Sequence, residues 1–220
     1  MRGFDCNCKL SYEKALQFKK AGYDFVIRYV GRMEQASFDI DKTEVDNILR
    51  AGLELAIVQH VEKAGWIPLA EKGTTYGKNA VKFAHEAGIT PGVSLYLDLE
   101  STKAGTPNQS IIDYCNAWYD QVIHDYLASG YIGCDIGLTG DELYHKLKFK
   151  DYWRSASNVP DIPERGYEMS QGLSVTVNGI SIDPDTVTGD NKGNFPVFMV
   201  PEKLLTHIIN VYNDGSCDVK

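Results

Sequence analysis

The 220-residue chain predicts an α/β protein, a single (β/α)8 TIM-barrel-like domain that is degenerate in its second half. Three observations predict it. The hydrophobic period switches repeatedly between 2 and 3.6, so strands and helices alternate. A glycine closes each early helix just before the next strand, at Gly22, Gly52 and Gly88. Eight strand-like runs fit in the chain, and the helices between the last of them are short or missing. An open doubly wound sheet is the alternative. No G-x-G-x-x-G or G-x-x-x-x-G-K-S/T follows the first strand, which removes the usual nucleotide-binding reason for that fold.

Gly3–Cys6 is the first strand, and Ser11 caps a helix that runs to Gly22 with Glu13 in its first turn. Phe25–Val30 is an almost wholly apolar second strand, broken by Arg28, as expected of a parallel strand covered on both faces. A second helix covers Asp41–Ala51, and Leu53–Gln59 is the third strand. Glu62–Tyr76 is read as a loop and Gly77–Ala87 as the third helix. Val93–Glu100 is the fourth strand. A long helix is predicted over Gln109–Ser129, then a fifth strand over Gly130–Gly137 and a short helix over Gly140–Leu147. Three short strands follow at Tyr152–Ala156, Tyr167–Gln171 and Gly179–Asp183. The barrel is assigned to residues 1–194 and a C-terminal extension or linker to 195–220, with a helix opening at Pro201 and a turn at Asn213-Asp214-Gly215.

Composition bounds the function. Hydrophobic residues make up 43% and charged residues 24%, the balance of a soluble globular domain. No apolar run reaches the roughly 18 residues of a membrane span. A net charge of −8 disfavours nucleic acid, which is held by clustered Lys and Arg. The N-terminus runs straight into a strand with no visible signal peptide, so the sequence leaves the location open. Cys6, Cys8, Cys115, Cys134 and Cys217 lack the paired spacing of a zinc site and read as mostly reduced core thiols. The five histidines show no H-x-x-x-H or H-E-x-x-H spacing, and no G-x-S-x-G elbow is present. No metal and no cofactor are expected, and the chain is expected to act as a monomer.

The chemistry gathers at the fourth strand. Strand alternation puts Leu95, Leu97 and Leu99 on one face and Tyr96, Asp98 and Glu100 on the other. Asp98 and Glu100 are then neighbours, roughly 6.5–7 Å apart, at the strand's C-terminal end. Two such acids resist ionising together, so one pKa rises and the pair divides into an acid and a base. In a barrel the active site lies at those strand ends. Asp5 ends the first strand and Asp183 the eighth, and the closed barrel makes those strands adjacent. Arg28 either points inward to Asp5 or forms a structural ion pair. Gln59 and Gln171 end the third and seventh strands and either bind hydroxyl and acetamido groups or face solvent. Tyr96, Trp66 and Trp153 offer a sugar-stacking platform or belong to the core. Asp135 on the fifth strand is a further inward candidate.

The ordered set Gly3-Phe4-Asp5, Phe25–Tyr29, Ala51-Gly52-Leu53, Leu95–Glu100, Gly130–Gly133 and Asn178–Asp183 resembles the glycoside-hydrolase-like domain of unknown function of actinobacterial and Gram-positive proteins. That domain is a barrel relative of the family 25 lysozymes. The resemblance covers about residues 3–187 and departs from the pattern at Cys134-Asp135 and at Cys6-Asn7-Cys8. It implies a peptidoglycan glycan substrate and hydrolysis of a β-1,4 glycosidic bond. It implies Glu100 as general acid and Asp98 as a second carboxylate that orients an N-acetyl group or attacks. Asp5 and Asp183 become pocket acids, and action at the cell wall outside the cell is expected. Two other classes stay open: a catalytically silent carbohydrate-binding domain, and a hydrolase with Asp5, Asp98, Glu100 and Asp183 as oxygen ligands of a divalent cation.

Overall fold

The early βα units are set by local chemistry. The Ser11 and Asp41 side chains cap α1 (Tyr12–Lys20) and α2 (Lys42–Arg50), accepting from the backbone N–H of Lys14 and Glu44. Gly88 ends α3 (Ala70–Ala87) at φ +79°, a left-handed conformation that costs glycine nothing. Between these helices β1 (Arg2–Asp5), β2 (Phe25–Val30), β3 (Glu54–Gln59) and β4 (Ser94–Leu99) pair in parallel. The computed structural model describes residues 1–201. The chain continues through α4 (Asn108–Val122), β5 (Leu127–Ile132), α5 (Gly140–Lys146), β6 (Tyr152–Arg154), β7 (Met169–Gln171), β8 (Val175–Val177) and β9 (Ile180–Val187).

The sheet order β1-β2-β3-β4-β5-β6-β7-β9 closes on itself through β9 and β1, giving a barrel of eight strands. The eighth is not parallel. β9 runs antiparallel to both β1 and β7 and forms a hairpin with β8. The two-residue loop Asn178-Gly179 makes that reversal, with φ of +53° and +76°. Two successive left-handed residues match the twist of the strands they join.

Two other boundaries differ from the sequence reading. α3 starts at Ala70, seven residues before Gly77. Gly73 and Gly77 are inside the helix because it packs on α4: a Cβ on them would come within 2.2 Å of the Tyr114 carbonyl oxygen and 2.8 Å of the Trp118 carbonyl oxygen. Both serve a close helix–helix approach, Gly73 in a stretch read as a loop. α4 stops at Val122, and β5 takes up Leu127–Ser129, which the helical pattern had absorbed.

The β4 alternation holds. Leu95, Leu97 and Leu99 are buried on the face opposite Tyr96 and Asp98, and Tyr96 meets Trp153 in the barrel interior, with ring centroids 5.5 Å apart. Residues after β9 lie across the N-terminal ends of β2–β4. The Phe198 ring sits 4.6 Å from that of Phe25, Met199 and Leu55 pair through their backbones, and Ser94 N–H donates to the Val197 carbonyl at 2.8 Å. The floor is thus covered and the opposite end is left for chemistry. The expected helix after Pro201 and the turn at Asn213-Asp214-Gly215 lie outside the described residues. Among the described residues no helix is long and apolar enough to cross a membrane.

Candidate active site

Asp98 is the last inward residue of β4 and is 7% exposed; Asp5, ending β1, is 1% exposed. Glu100 follows β4 and is half-buried. Asp98 Oδ1 is buried with no hydrogen-bond partner among the described residues. Burial drives the Asp98 carboxyl well above its usual range, and the charges of Glu100 and Asp5 push the same way. Burial also raises Glu100. Asp5 is pushed up to about 7, chiefly by burial; hydrogen bonds from Gln171 and Tyr29 oppose the shift and the charge of Asp183 adds to it. The acids therefore feel one another across a single mouth.

Asp5 and Glu100 are positioned by named neighbours. Tyr29 Oη donates to Asp5 Oδ1 and Gln171 Nε2 to Asp5 Oδ2, both at 2.8 Å. Gln171 is fixed in turn by Tyr131 Oη, which donates to its Oε1 at 2.9 Å. Tyr29 stacks on His60 at 4.6 Å, and His60 Nε2 pairs with Asp39 Oδ1 at 2.7 Å. On the other side, the Glu100 carbonyl accepts from Trp66 Nε1 at 2.8 Å. Ser101 then turns the chain with φ +52° and donates its N–H to the Cys134 carbonyl at 2.8 Å. The Glu100 side chain lies over Gly133, where a Cβ would come 2.3 Å from Glu100 Cβ and 2.4 Å from Oε2. Only a glycine leaves room for it. The end of β5 and the residue after it thus contribute Tyr131 and an absence of side chain to the site.

Asp183 faces Asp5 in register across the β1–β9 pairing and accepts from the Ser174 hydroxyl. It does not end its strand. It stands near the start of β9 and reaches the mouth because that strand is reversed. Asp5, Cys6, Cys8, Tyr29, Ser181 and Asp183 are among the residues that line a cavity of about 460 Å³ beside the carboxylates.

The other expected site residues are placed elsewhere. Arg28 does not pair with Asp5. It points outward, is fully buried, and forms an ion pair with Glu44 of α2 at 2.7 Å. Strand alternation sends Tyr29 inward instead. Gln59 is buried on the helix side of β3, donating to the Gly31 and Tyr76 carbonyls and accepting from Trp118 Nε1. Tyr96 and Trp153 are buried within the barrel. Tyr96 Oη donates to Glu168 Oε1 at 2.7 Å and Trp153 Nε1 to Asp185 Oδ1 at 3.0 Å. Neither ring is open to stack on a sugar, and Trp66 acts as a brace for Glu100. Asp135 is an exposed loop residue at φ +53°. Of the nine catalytic and substrate-binding candidates, Asp5, Asp98, Glu100, Asp183 and Gln171 meet at the mouth. Tyr29 and Tyr131 join them without having been predicted, and Asp185 lies one layer deeper. Among the described residues, the three potential metal ligands with atoms within 4.8 Å of one another are the exposed Asp141, His145 and Glu164, none of them at these strand ends.

Residues 16–161, well over half of the chain, match the family described as the Rv2525c-like, glycoside hydrolase-like domain. The chain belongs to that family. Its barrel is similar to the Mycobacterium tuberculosis Tat-secreted protein Rv2525c, with TM-score 0.65 and 16% identity over 89% of this chain and 98% of that one. The CTP1L endolysin aligns with TM-score 0.60 and 19% identity over 85% of this chain and 66% of that one. The bacterial lysozyme from Streptomyces coelicolor aligns with TM-score 0.52 and 16% identity over 87% and 94%. At these identities the likeness is one of fold. No curated protein sequence matches the chain.

Proposed function

We propose that this glycoside hydrolase-like domain is a peptidoglycan hydrolase that cleaves β-1,4 glycosidic bonds, with Glu100 as the proton donor. The observation that carries the reading is the gathering of Glu100, Asp98 and Asp5 at one barrel mouth, with Glu100 the most accessible of the three and its carboxyl raised by burial. A raised carboxylic acid holds the proton that a leaving glycosidic oxygen needs. As that bond breaks, positive charge grows on the sugar ring, and the acidic mouth favours it electrostatically.

Asp98 takes the orienting role in this reading. It is too enclosed for open attack at an anomeric carbon, and an acid beside the proton donor can orient a substrate acetamido group. Such a group can itself assist hydrolysis. Asp5 is held by Tyr29 and Gln171 against the same space, and Asp183 forms the wall of the adjoining cavity. The lysozyme and endolysin folds support the substrate class by analogy only.

The test is clearance of a Gram-positive cell-wall suspension, with and without EDTA, by the native chain and by Glu100→Gln. Chelator-insensitive clearance that disappears in the folded variant is expected. Full activity in Glu100→Gln removes Glu100 from its role. Binding to the wall without clearance makes the domain a silent carbohydrate binder, and clearance lost on chelation makes it a metal-dependent hydrolase.

A further inference from the structure

The two cysteines directly after Asp5 take no part in the hydrolysis proposed above. The chain bends at Asn7 and Cys8 and folds the first thiol back on the second residue. The Cys6 thiol donates to the Cys8 carbonyl oxygen at 3.5 Å. Both are free. Their surroundings differ. Cys6 is 3% exposed, whereas Cys8 is half-buried and opens on the cavity it lines with Asp5, Tyr29 and Asp183.

The loop that carries them is pinned at both ends to one buried ion pair. Arg28 donates to the Cys6 carbonyl, and its partner Glu44 accepts from the Leu10 N–H at 2.8 Å. The neighbouring Cys6 thiol lowers the Cys8 thiol to about 7, burial opposes, and the Arg28 charge adds to the lowering. Cys6 is pushed the other way by its Cys8 neighbour and by burial. An accessible thiol with thiolate character beside a buried second thiol is the arrangement of an attacking and a resolving cysteine.

We propose that Cys8 and Cys6 form a thiol–disulfide exchange site in the wall of the carboxylate mouth, reactive toward low-molecular-weight disulfides that enter the cavity. The Cys8 thiolate attacks one sulfur of the disulfide RSSR, forming a Cys8–SR bond and expelling RS⁻. The Cys6 sulfur, losing its proton to solvent, then attacks Cys8 sulfur, forming Cys6–Cys8 and expelling the second RS⁻. Two protein thiols are oxidised by two electrons, one RSSR is reduced to two RSH, and the two thiol protons end on those products. Residues two apart in a bend hold their Cα atoms within the roughly 7 Å that a disulfide spans. The ring is small, so the bond is strained and readily reduced again. It closes one residue after Asp5, so oxidation resets the backbone from which that carboxylate hangs.

The experiment uses the full reduced chain and glutathione disulfide at neutral pH, read by intact mass and by mapping of the tryptic peptide spanning residues 3–9, which contains both thiols. That peptide is expected to become two hydrogens lighter. Cys6→Ser should stop at a glutathione adduct on Cys8, and Cys8→Ser should leave Cys6 unmodified. In the native chain iodoacetamide should alkylate Cys8 about tenfold faster than the half-buried Cys134. Alkylation of Cys8 no faster than Cys134, or a 3–9 peptide that keeps both thiols free, overturns the proposal. Every readout is covalent mass, so the result is independent of whether the domain cleaves glycans.

Discussion

Gly133→Ala isolates the position of the proposed acid from its chemistry. A methyl group there would lie 2.3 Å from Glu100 Cβ, 2.4 Å from Oε2 and 3.2 Å from Cδ. Ordinary contact begins near 3.4 Å, so the side chain must retreat by about 1 Å. The Glu100 backbone cannot follow freely: its carbonyl is held by Trp66, and the next residue is tied to Cys134. Overpacking of this kind costs about 1–3 kcal/mol. For a chain of this size each kcal/mol lowers Tm by roughly 2–4 °C, so a folded variant is expected. A misplacement of about 1 Å in a reacting group costs on the order of 100-fold in rate. Initial rates of reducing-end release from cell walls, with Tm measured alongside, should therefore show a large fall in kcat beside a modest fall in Tm. Adding Glu100→Gln to Gly133→Ala should cost little more than Glu100→Gln alone, because both act through one side chain. A folded Gly133→Ala variant that keeps kcat within about twofold refutes the placement argument, since a donor that tolerates such displacement is not working at near-attack geometry.

Arg28→Met leaves Glu44 buried and unpaired, so a loss of about 3–5 kcal/mol is expected in denaturant unfolding, with KM unchanged in whatever protein remains folded. A raised KM at unchanged stability would return Arg28 to the substrate site. Glu168 is raised from 4.5 to about 8, chiefly by burial, so the native state prefers its protonated form. The stability it contributes is complete below the unfolded value near 4.5 and is lost as pH rises toward about 8. Tm should thus fall between pH 5 and pH 8, and Glu168→Gln, which cannot ionise, should flatten that fall; an unaltered slope in scanning fluorimetry refutes it. Tyr29→Phe removes one of the two hydrogen bonds that hold Asp5 down, so its carboxyl titration, followed by NMR, should move upward from about 7. No movement, or a downward one, would mean that Tyr29 does not stabilise the ionised form.

The parts of this fold that the sequence made legible are those where a local rule and the tertiary structure agree. Alternation in β4 placed Leu95, Leu97 and Leu99 opposite Tyr96 and Asp98, and the cap at Ser11 marked a helix start, because strand parity and capping depend on neighbours only a few residues away. Misreadings came from residues whose role is set across the fold. Gly73 fell in the stretch read as a loop and Gly77 was read as the helix start, because their purpose is a helix–helix contact with residues some forty positions later. Arg28 and Tyr29 sit side by side in an apolar strand buried on both faces, so no alternation said which points inward, and α2 decided it by supplying Glu44. Trp153 and Gln59 were read by side-chain chemistry alone, and burial took both away from the mouth. Asp185 shares the parity of Asp183 and was within reach. Pro184 between them argued against extending the strand, since proline cannot donate to a ladder.

The reversal of the last strand connects the degenerate half of the barrel to its chemistry. A parallel strand gives the mouth only its last residue or two before the chain leaves for a helix. Antiparallel β9 gives the mouth its opening residues, so Asp183 arrives opposite Asp5, and Asp185 follows one layer deeper on Trp153. The Asn178-Gly179 turn then projects beyond the barrel rim, and β8 with its neighbours adds Ser174 and Gly179–Ser181 to the cavity wall. Lys14 of α1 donates to the Asn178 carbonyl at 2.7 Å and ties that projection to the first βα unit. The signal for the turn was local, an Asn-Gly pair flanked by alternating residues, and it bears directly on function. The wall of the proposed site beside Asp5 includes a hairpin whose second strand pairs with the barrel's first, which brings the Cys6–Cys8 bend and the Asp183 carboxylate into the lining of one cavity.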